Sequence, residues 1–170
     1  MHEMAAMIVL ERSFFFLTLI TALGCGLMAG VFFAFSAFIM PALSRLAPSG
    51  GIAAMQSINI TAVTPVFMLA VFGTAVACIV LALLSLLRWN APVTAYVLAG
   101  SVLYLVGAIA VTIAFNVPRN DALAGVVPAS DAGLREWTGY LAVWTAWNHV
   151  RAVASLAAMA SFVLALARWR

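Results

Sequence analysis

Four long apolar runs, separated by short polar joints, organise this chain. They cover residues 13–40, 62–87, 92–115 and 140–167. At about 1.5 Å per residue, each run is long enough as a helix to cross a hydrocarbon core about 30 Å thick. A helix is the conformation expected of each run, because lipid offers no partner for an unpaired backbone group. The pattern therefore predicts an all-α fold, a four-helix transmembrane bundle in which residues 1–170 form one domain.

Proline and glycine mark the joints between the runs. The segment MPALSRLAPSGG carries two prolines and a glycine pair, which predicts the end of the first helix. The segment RWNAP predicts a tight joint between the second and third helices. The segment FNVPRNDALAGVVPASDAG predicts a longer break with a short helical turn before Trp137. Because the number of spans is even, both termini are expected on one side of the membrane.

The composition supports a membrane protein and excludes several classes of partner. Hydrophobic residues make up 66% of the chain and charged residues 8%, whereas a soluble domain has about 25% charged residues. The net charge of +3 comes from arginines scattered singly, without the basic patch that nucleic-acid binding needs. A small arginine excess on the terminal side favours cytoplasmic termini, as in a bacterial inner membrane. The expected partners are the lipid bilayer and, because four helices bury little surface alone, further copies of the chain in a homo-oligomer.

Polar side chains gather where the membrane boundary is expected. After Arg151 the fourth run has only sixteen apolar residues, which places this boundary near residues 147–151. Topology then brings to the same side polar residues of two further segments and of the fourth run itself: Gln56, Asn59, Asn116, Arg119, Asn120, Asn148, His149 and Arg151. At about 100° per residue, Trp144, Trp147, Asn148, Arg151 and Ser155 share one face of the fourth helix, whereas His149 lies about 100° from Asn148.

These residues have structural as well as functional interpretations. Tryptophan is common at membrane interfaces, arginine reaches towards headgroups, and asparagine ties helices together by hydrogen bonds. The density of polar groups in an otherwise apolar chain favours a pocket instead, since ionisable groups within a membrane are usually functional. Histidine pairs with metal-ligand spacing and a nucleotide-binding glycine loop are absent from the sequence, and no metal site is predicted. A haem, a quinone or a single metal ion at His149 stays open as an alternative, as does a structural or assembly module.

Four segments carry a family resemblance. They are AGVFFAFSAFIMPAL, AMQSIN, FNVPRNDAL and WTAWNHVRAVAS, which together touch all four runs. With them the sequence resembles the DUF1772 group of small four-helix membrane proteins, known as the anthrone oxygenase family. VTPVF at positions 63–67 departs from the family pattern, with Thr64 where the family has Asn. The resemblance implies a membrane-embedded oxygenase that oxidises a planar hydrophobic phenol of the anthrone type with O2.

The implied chemistry assigns a role to each polar residue. Removing a proton from an anthrone methylene needs a base, donors for the developing oxyanion and an apolar slot for flat rings. The expected base is His149, because histidine is the side chain that most often serves as a general base. The expected oxyanion donors are Asn148, Asn116, Arg151 and Arg119. The expected substrate-binding residues are Trp144, Trp147, Asn120, Gln56 and Asn59. The mechanism requires no metal.

Overall fold

The computed structural model describes residues 2–87 and 93–169, so the RWNAP joint predicted at residues 88–92 lies outside the described part. Four helices in it are long and apolar enough to span a membrane: α1 (Met7–Leu43), α3 (Pro65–Leu87), α4 (Thr94–Ala124) and α5 (Asp131–Ala167). The helical backbone of α1 already begins at His2. A shorter helix, α2 (Pro48–Thr61), joins α1 to α3. The predicted four-helix transmembrane bundle is therefore confirmed, and no strand occurs within residues 2–87 and 93–169.

Several helix ends differ from the sequence predictions. The glycine pair at positions 50 and 51 lies inside α2, because Pro48 sits in the first turn of this helix and starts it. The fourth run extends back to Asp131, where the Ser130 side chain accepts a hydrogen bond from the Gly133 N–H at 3.0 Å. Helix α5 thus has 37 residues, or about 55 Å, which exceeds the hydrocarbon thickness. Its first turns therefore extend beyond the apolar layer.

Two prolines that were expected to break helices lie just after π-helical turns. In α1 the π turn Phe35–Ile39 precedes Pro41, and in α4 the π turn Thr112–Asn116 precedes Pro118. Proline lacks the N–H that would bond four residues back, and its ring crowds that carbonyl. A wider turn accommodates both effects, so each helix continues beyond its proline. Two more π turns, Leu69–Gly73 and Leu105–Ala110, lie in α3 and α4.

Helix α5 is the central element of the bundle. It packs along α1 on one side and along α4 on the other, and α4 in turn packs against α3. The core between them contains Cys25, Cys78, Tyr104 and Phe162, all fully buried, and both cysteines are free thiols. The outward faces carry exposed Leu, Val, Ile and Phe side chains. In a protein of this composition such a surface contacts lipid rather than water.

The two ends of the bundle differ. At one end Phe14 and Phe15 pack against Trp169, with ring centroids 5.3 and 5.5 Å apart, which brings the outer ends of α1 and α5 together. Helix α2, the last turns of α4 and the first turns of α5 form the other end, here called the α2 end. Of the predicted polar residues, those of α2 and α4 belong to this α2 end, whereas Asn148, His149 and Arg151 lie in the middle of α5. The cytoplasmic location of both termini and the homo-oligomer stay predictions.

Candidate active site

A buried hydrogen-bond network surrounds Arg151 in the middle of α5. Asn148 Nδ2 donates to the Phe32 carbonyl and to Ser36 Oγ of α1, each at 2.7 Å. Asn148 Oδ1 accepts from Arg151 Nη2, also at 2.7 Å, and Arg151 Nη1 donates to Thr112 Oγ1 of α4 at 3.2 Å. An arginine can only donate, so the amide orientation of Asn148 is fixed. The network therefore ties α5 to both of its neighbours.

The Arg151 charge is compensated by rings and neutral acceptors. Its side chain is only 6% exposed, and its guanidinium lies 4.4 Å from the centroid of the Phe32 ring and 5.0 Å from that of Trp144. Such cation–π contacts are worth most where water is excluded. Arg151 Nε and Ser155 Oγ, one turn along α5, are buried and have no partner among the described residues. Among the residues that the structure describes, no carboxylate pairs with this guanidinium, whose hydrogen bonds go to Thr112 and Asn148.

A second group of polar contacts links α4 to α5 nearer the α2 end. Asn116 Nδ2 donates to the Trp144 carbonyl at 3.1 Å. Asn120 Oδ1 accepts from the Tyr140 hydroxyl at 2.7 Å and from the Trp144 indole N–H at 2.8 Å. Trp137, Tyr140 and Trp144 stack along α5, with interplanar angles of 15° and 17° between neighbours. Both asparagines thus connect the end of α4 to α5, at the stacked rings of Trp137, Tyr140 and Trp144, here called the aromatic ladder.

Helix α2 closes over this ladder and forms one wall of a cleft. Gln56 Nε2 donates to the carbonyls of Leu123 and Val126, at 2.8 and 3.1 Å, and Asn59 interacts with the Tyr140 hydroxyl. Gly51 permits the close approach, since a Cβ there would lie 2.7 Å from the Trp137 ring. Between α2 and the end of α4 lies the amide cleft, of about 610 Å³, lined by Gln56, Asn59, Ile60, Val63, Val117, Asn120, Asp121 and Ala124.

A second cleft lies on the opposite face of the last turns of α4. This Arg119–Glu136 cleft measures about 490 Å³ and is lined by Ala114, Phe115, Pro118, Arg119, Ala122, Glu136, Val143 and Trp147. Phe115 and Trp147 stack face to face, with centroids 3.6 Å apart and an interplanar angle of 7°. Glu136 Oε1 is buried and has no hydrogen-bond partner among the described residues. The cleft therefore combines a carboxylate oxygen without a hydrogen-bond partner, a guanidinium and a flat aromatic wall.

The family model that matches this chain has the description anthrone oxygenase, and the match covers residues 64–161. It begins at the Thr64 cap of α3 and includes α4 and most of α5, which is more than half of the chain. The protein belongs to the anthrone oxygenase family. Searches of curated proteins and of solved structures gave no match. The whole Arg119–Glu136 cleft lies within the matched residues, whereas the α2 wall of the amide cleft lies outside them.

The sequence-predicted residues of this anthrone oxygenase family member fall into separate places. Asn148, Arg151 and Asn116 are buried between helices, and Trp144 joins them to Asn120. Gln56 and Asn59 line the amide cleft together with Asn120, whereas Arg119 and Trp147 line the other cleft. The residues from which a pocket was expected are thus divided between two clefts and a buried network.

His149 differs most from its expected surroundings. It is exposed on the outward face of α5, because it lies about 100° from the buried Asn148. No group of three metal-ligating side chains occurs among the described residues. A role for His149 as a base or as a haem or metal ligand stays a prediction, and neither cleft contains this residue.

Glu136 lines a cleft but was not among the residues predicted from the sequence. The fourth span was expected to start at residue 140, after a short helical turn before Trp137, so Glu136 was not assigned to a face of this helix. In α5 it lies seven residues before Val143 and eleven before Trp147, spacings that return to the same face of a helix within about 20°. This spacing is visible in the sequence once the helix is extended back to Asp131.

Proposed function

We propose that this protein is an oxygenase that oxidises a planar hydrophobic phenol of the anthrone type with O2, and that the reaction takes place in the Arg119–Glu136 cleft. Membership of the anthrone oxygenase family supports an oxygenase-like function. The observation that carries the proposal is the unpartnered Glu136 Oε1, buried in the same cleft as Arg119 and Trp147. Among the lining residues of this cleft, Glu136 is the carboxylate and Arg119 the cation.

Glu136 acts as the general base in this proposal. A buried acceptor without a donor is costly, so a substrate C–H or O–H group placed against it gains more than it would in water. Arg119 stabilises the negative charge that develops on the substrate oxygen, and the fixed planar donors of a guanidinium suit this task. The Phe115–Trp147 pair offers a flat apolar wall for the fused rings, in a volume sufficient for a tricyclic molecule.

The reaction balances without a further reactant. Glu136 removes one proton from the methylene carbon, and the electron pair delocalises onto the ring oxygen beside Arg119. The carbanion passes electrons to O2 one at a time, a C–O bond forms, and the peroxide takes back the proton as a hydroperoxide. Loss of the second C–H proton to Glu136 and cleavage of the O–O bond then give the carbonyl, with hydroxide leaving as water. One oxygen atom ends in the quinone and the other in water.

The buried network has a supporting role in this proposal. Asn148 and Arg151 hold α5 against α1 and α4, and Asn116 and Asn120 hold the end of α4 that carries Arg119. A misplacement of about 1 Å in a catalytic group can lower a rate about 100-fold. These residues therefore affect turnover by positioning the cleft rather than by touching the substrate.

Oxygen uptake by the detergent-purified protein with an anthrone tests the proposal. We expect one O2 consumed per quinone formed, and a kcat lowered about 100-fold or more in Glu136→Gln, because general bases contribute about 10²–10⁴-fold. In Arg119→Gln we expect kcat to fall about 10–100-fold, and in Arg119→Lys we expect a smaller fall, because lysine keeps the positive charge. Asp131→Asn and Arg135→Gln change the same charges at exposed positions of α5 and serve as controls. Equal rates in Glu136→Gln and Asp131→Asn would refute the assignment of the base.

A further inference from the structure

The amide cleft has a chemical character of its own. It lies across the last turns of α4 from the proposed active site, and its α2 wall falls outside the family match. Of its lining residues Asp121 alone is charged, and the other polar groups are the amides of Gln56, Asn59 and Asn120. A cleft that offers neutral amides and one carboxylate selects against ligands with a negatively charged head.

The hydrogen bonds already made define which amide groups are left for a ligand. The Trp144 indole N–H can only donate, so Asn120 Oδ1 is its acceptor and the Asn120 NH2 group is the part that remains. Gln56 uses its NH2 group on the Leu123 and Val126 carbonyls, so its Oε1 remains. The Asn59 side chain already interacts with the Tyr140 hydroxyl, so with the exposed Asp121 carboxylate the cleft keeps the Asn120 donor and at least two acceptors, on Gln56 and Asp121.

The apolar side of the cleft continues onto the lipid-facing surface. Ile60 and Val63 line the cleft and are 77% and 69% exposed. Further along the same chain segment, Val66 and Leu69 of α3 are 79% and 72% exposed. A ligand whose head occupies the amide cleft can therefore extend an apolar tail past these side chains along the outer surface of α3.

We propose that the amide cleft binds an uncharged amphiphile whose head carries hydroxyl groups, with its tail along α3. A hydroxyl group both donates and accepts, which matches the remaining acceptors of Gln56 and Asp121 and the remaining donor of Asn120. A quinone only accepts, and a phosphate needs a cation that the lining residues do not supply. The head is either phenolic or of the glycerol type, since both present this chemistry.

Isothermal titration of the full chain in phosphatidylcholine nanodiscs tests this site. The hydroxyl probes are decylhydroquinone and 1-O-decylglycerol, and the charged or acceptor-only probes are decyl phosphate, decylammonium and decylbenzoquinone. We expect saturable binding of at least one hydroxyl probe, and the tighter of the two identifies the head as phenolic or glycerol-like. Asp121→Ala should weaken this binding about tenfold, because it removes a charged acceptor. Ala124→Trp should abolish it, because the indole fills the cleft.

Asp131→Ala removes the same charge from an exposed position outside the cleft and should leave the affinity unchanged. Three results would overturn the proposal: no saturable binding of either hydroxyl probe, tighter binding of any of the other three probes, or hydroxyl binding that Asp121→Ala and Ala124→Trp leave intact. The measurement is independent of oxygen uptake, so its failure leaves the proposed oxygenase activity to its own test.

Discussion

Replacing Asn148 with alanine should destabilise the bundle mainly because the buried Arg151 charge loses a hydrogen-bond acceptor. The substitution removes the two bonds that Asn148 donates to Phe32 and Ser36, and it removes the acceptor of Arg151 Nη2. Arg151 keeps a single bond, to Thr112, in a site that is 94% shielded from solvent. The perturbation therefore breaks a helix–helix tie and leaves a cation underpartnered at the same time.

The magnitude follows from these contacts. Interhelical hydrogen bonds in membrane proteins average about 0.6 kcal/mol, so the two donated bonds together contribute about 1 kcal/mol. Loss of a buried bond to a charged group costs about 1.5–3 kcal/mol. We therefore expect the free energy of unfolding to fall by about 3 kcal/mol in Asn148→Ala. Because most of this cost comes from the charge, removing the charge as well should recover about 2 kcal/mol.

Unfolding in mixed micelles of dodecyl maltoside and dodecyl sulfate measures these free energies. The series consists of Asn148→Ala, Arg151→Met, the double variant, and His149→Ala as an exposed neighbour that should change little. We expect the double variant to be more stable than Asn148→Ala alone. If its loss equals the two single losses added together, Asn148 and Arg151 act independently and the account of the network is refuted.

Two further predictions use the same unfolding assay and the oxygen-uptake assay. Gly107→Ala should lower the free energy of unfolding by about 1–3 kcal/mol, because the new Cβ would meet the Cβ of Ala154, which cannot rotate away. In Gly30→Ala the new Cβ would have no neighbouring atom within 4 Å, so this substitution should raise the free energy of unfolding by about 0.5–1 kcal/mol. Equal effects at the two glycines would contradict the packing of α4 against α5. In His149→Ala the rate of oxygen uptake should stay within about twofold of the wild-type rate. A tenfold lower rate, or the loss of a bound haem or metal from the purified variant, would show that His149 belongs to the active site.

The spanning helices could be predicted from the sequence, because hydropathy and the need to pair every backbone N–H and C=O group in lipid depend on each segment alone. The ends were less predictable, since Pro41 and Pro118 read as helix breakers. The π turns before these prolines accommodate the missing N–H groups, so α1 and α4 continue beyond them. This adjustment depends on packing against α5 and leaves no clear pattern in the sequence. The longer helices then create the α2 end, where both clefts lie.

The surroundings of the predicted residues could be derived from the sequence only in part, as single positions illustrate. The helical angle between Asn148 and His149 places one in the core and the other on the outside, as α5 shows. Which partner each polar group finds depends on the contacts of three chain segments, so the division between a buried network and two clefts was not predictable. Glu136 was missed because its helix begins at Asp131, whereas the sequence predicted a start at residue 140.

Anaerobic exchange of the anthrone methylene protons with D2O, followed by NMR, tests the central claim most directly. This measurement isolates the first step, since proton removal by Glu136 requires no O2. We predict exchange well above the spontaneous rate with the wild-type chain and with Asp131→Asn, and a rate lowered about 100-fold in Glu136→Gln. Exchange that is undiminished in Glu136→Gln would contradict the account, because the base would then lie outside the Arg119–Glu136 cleft.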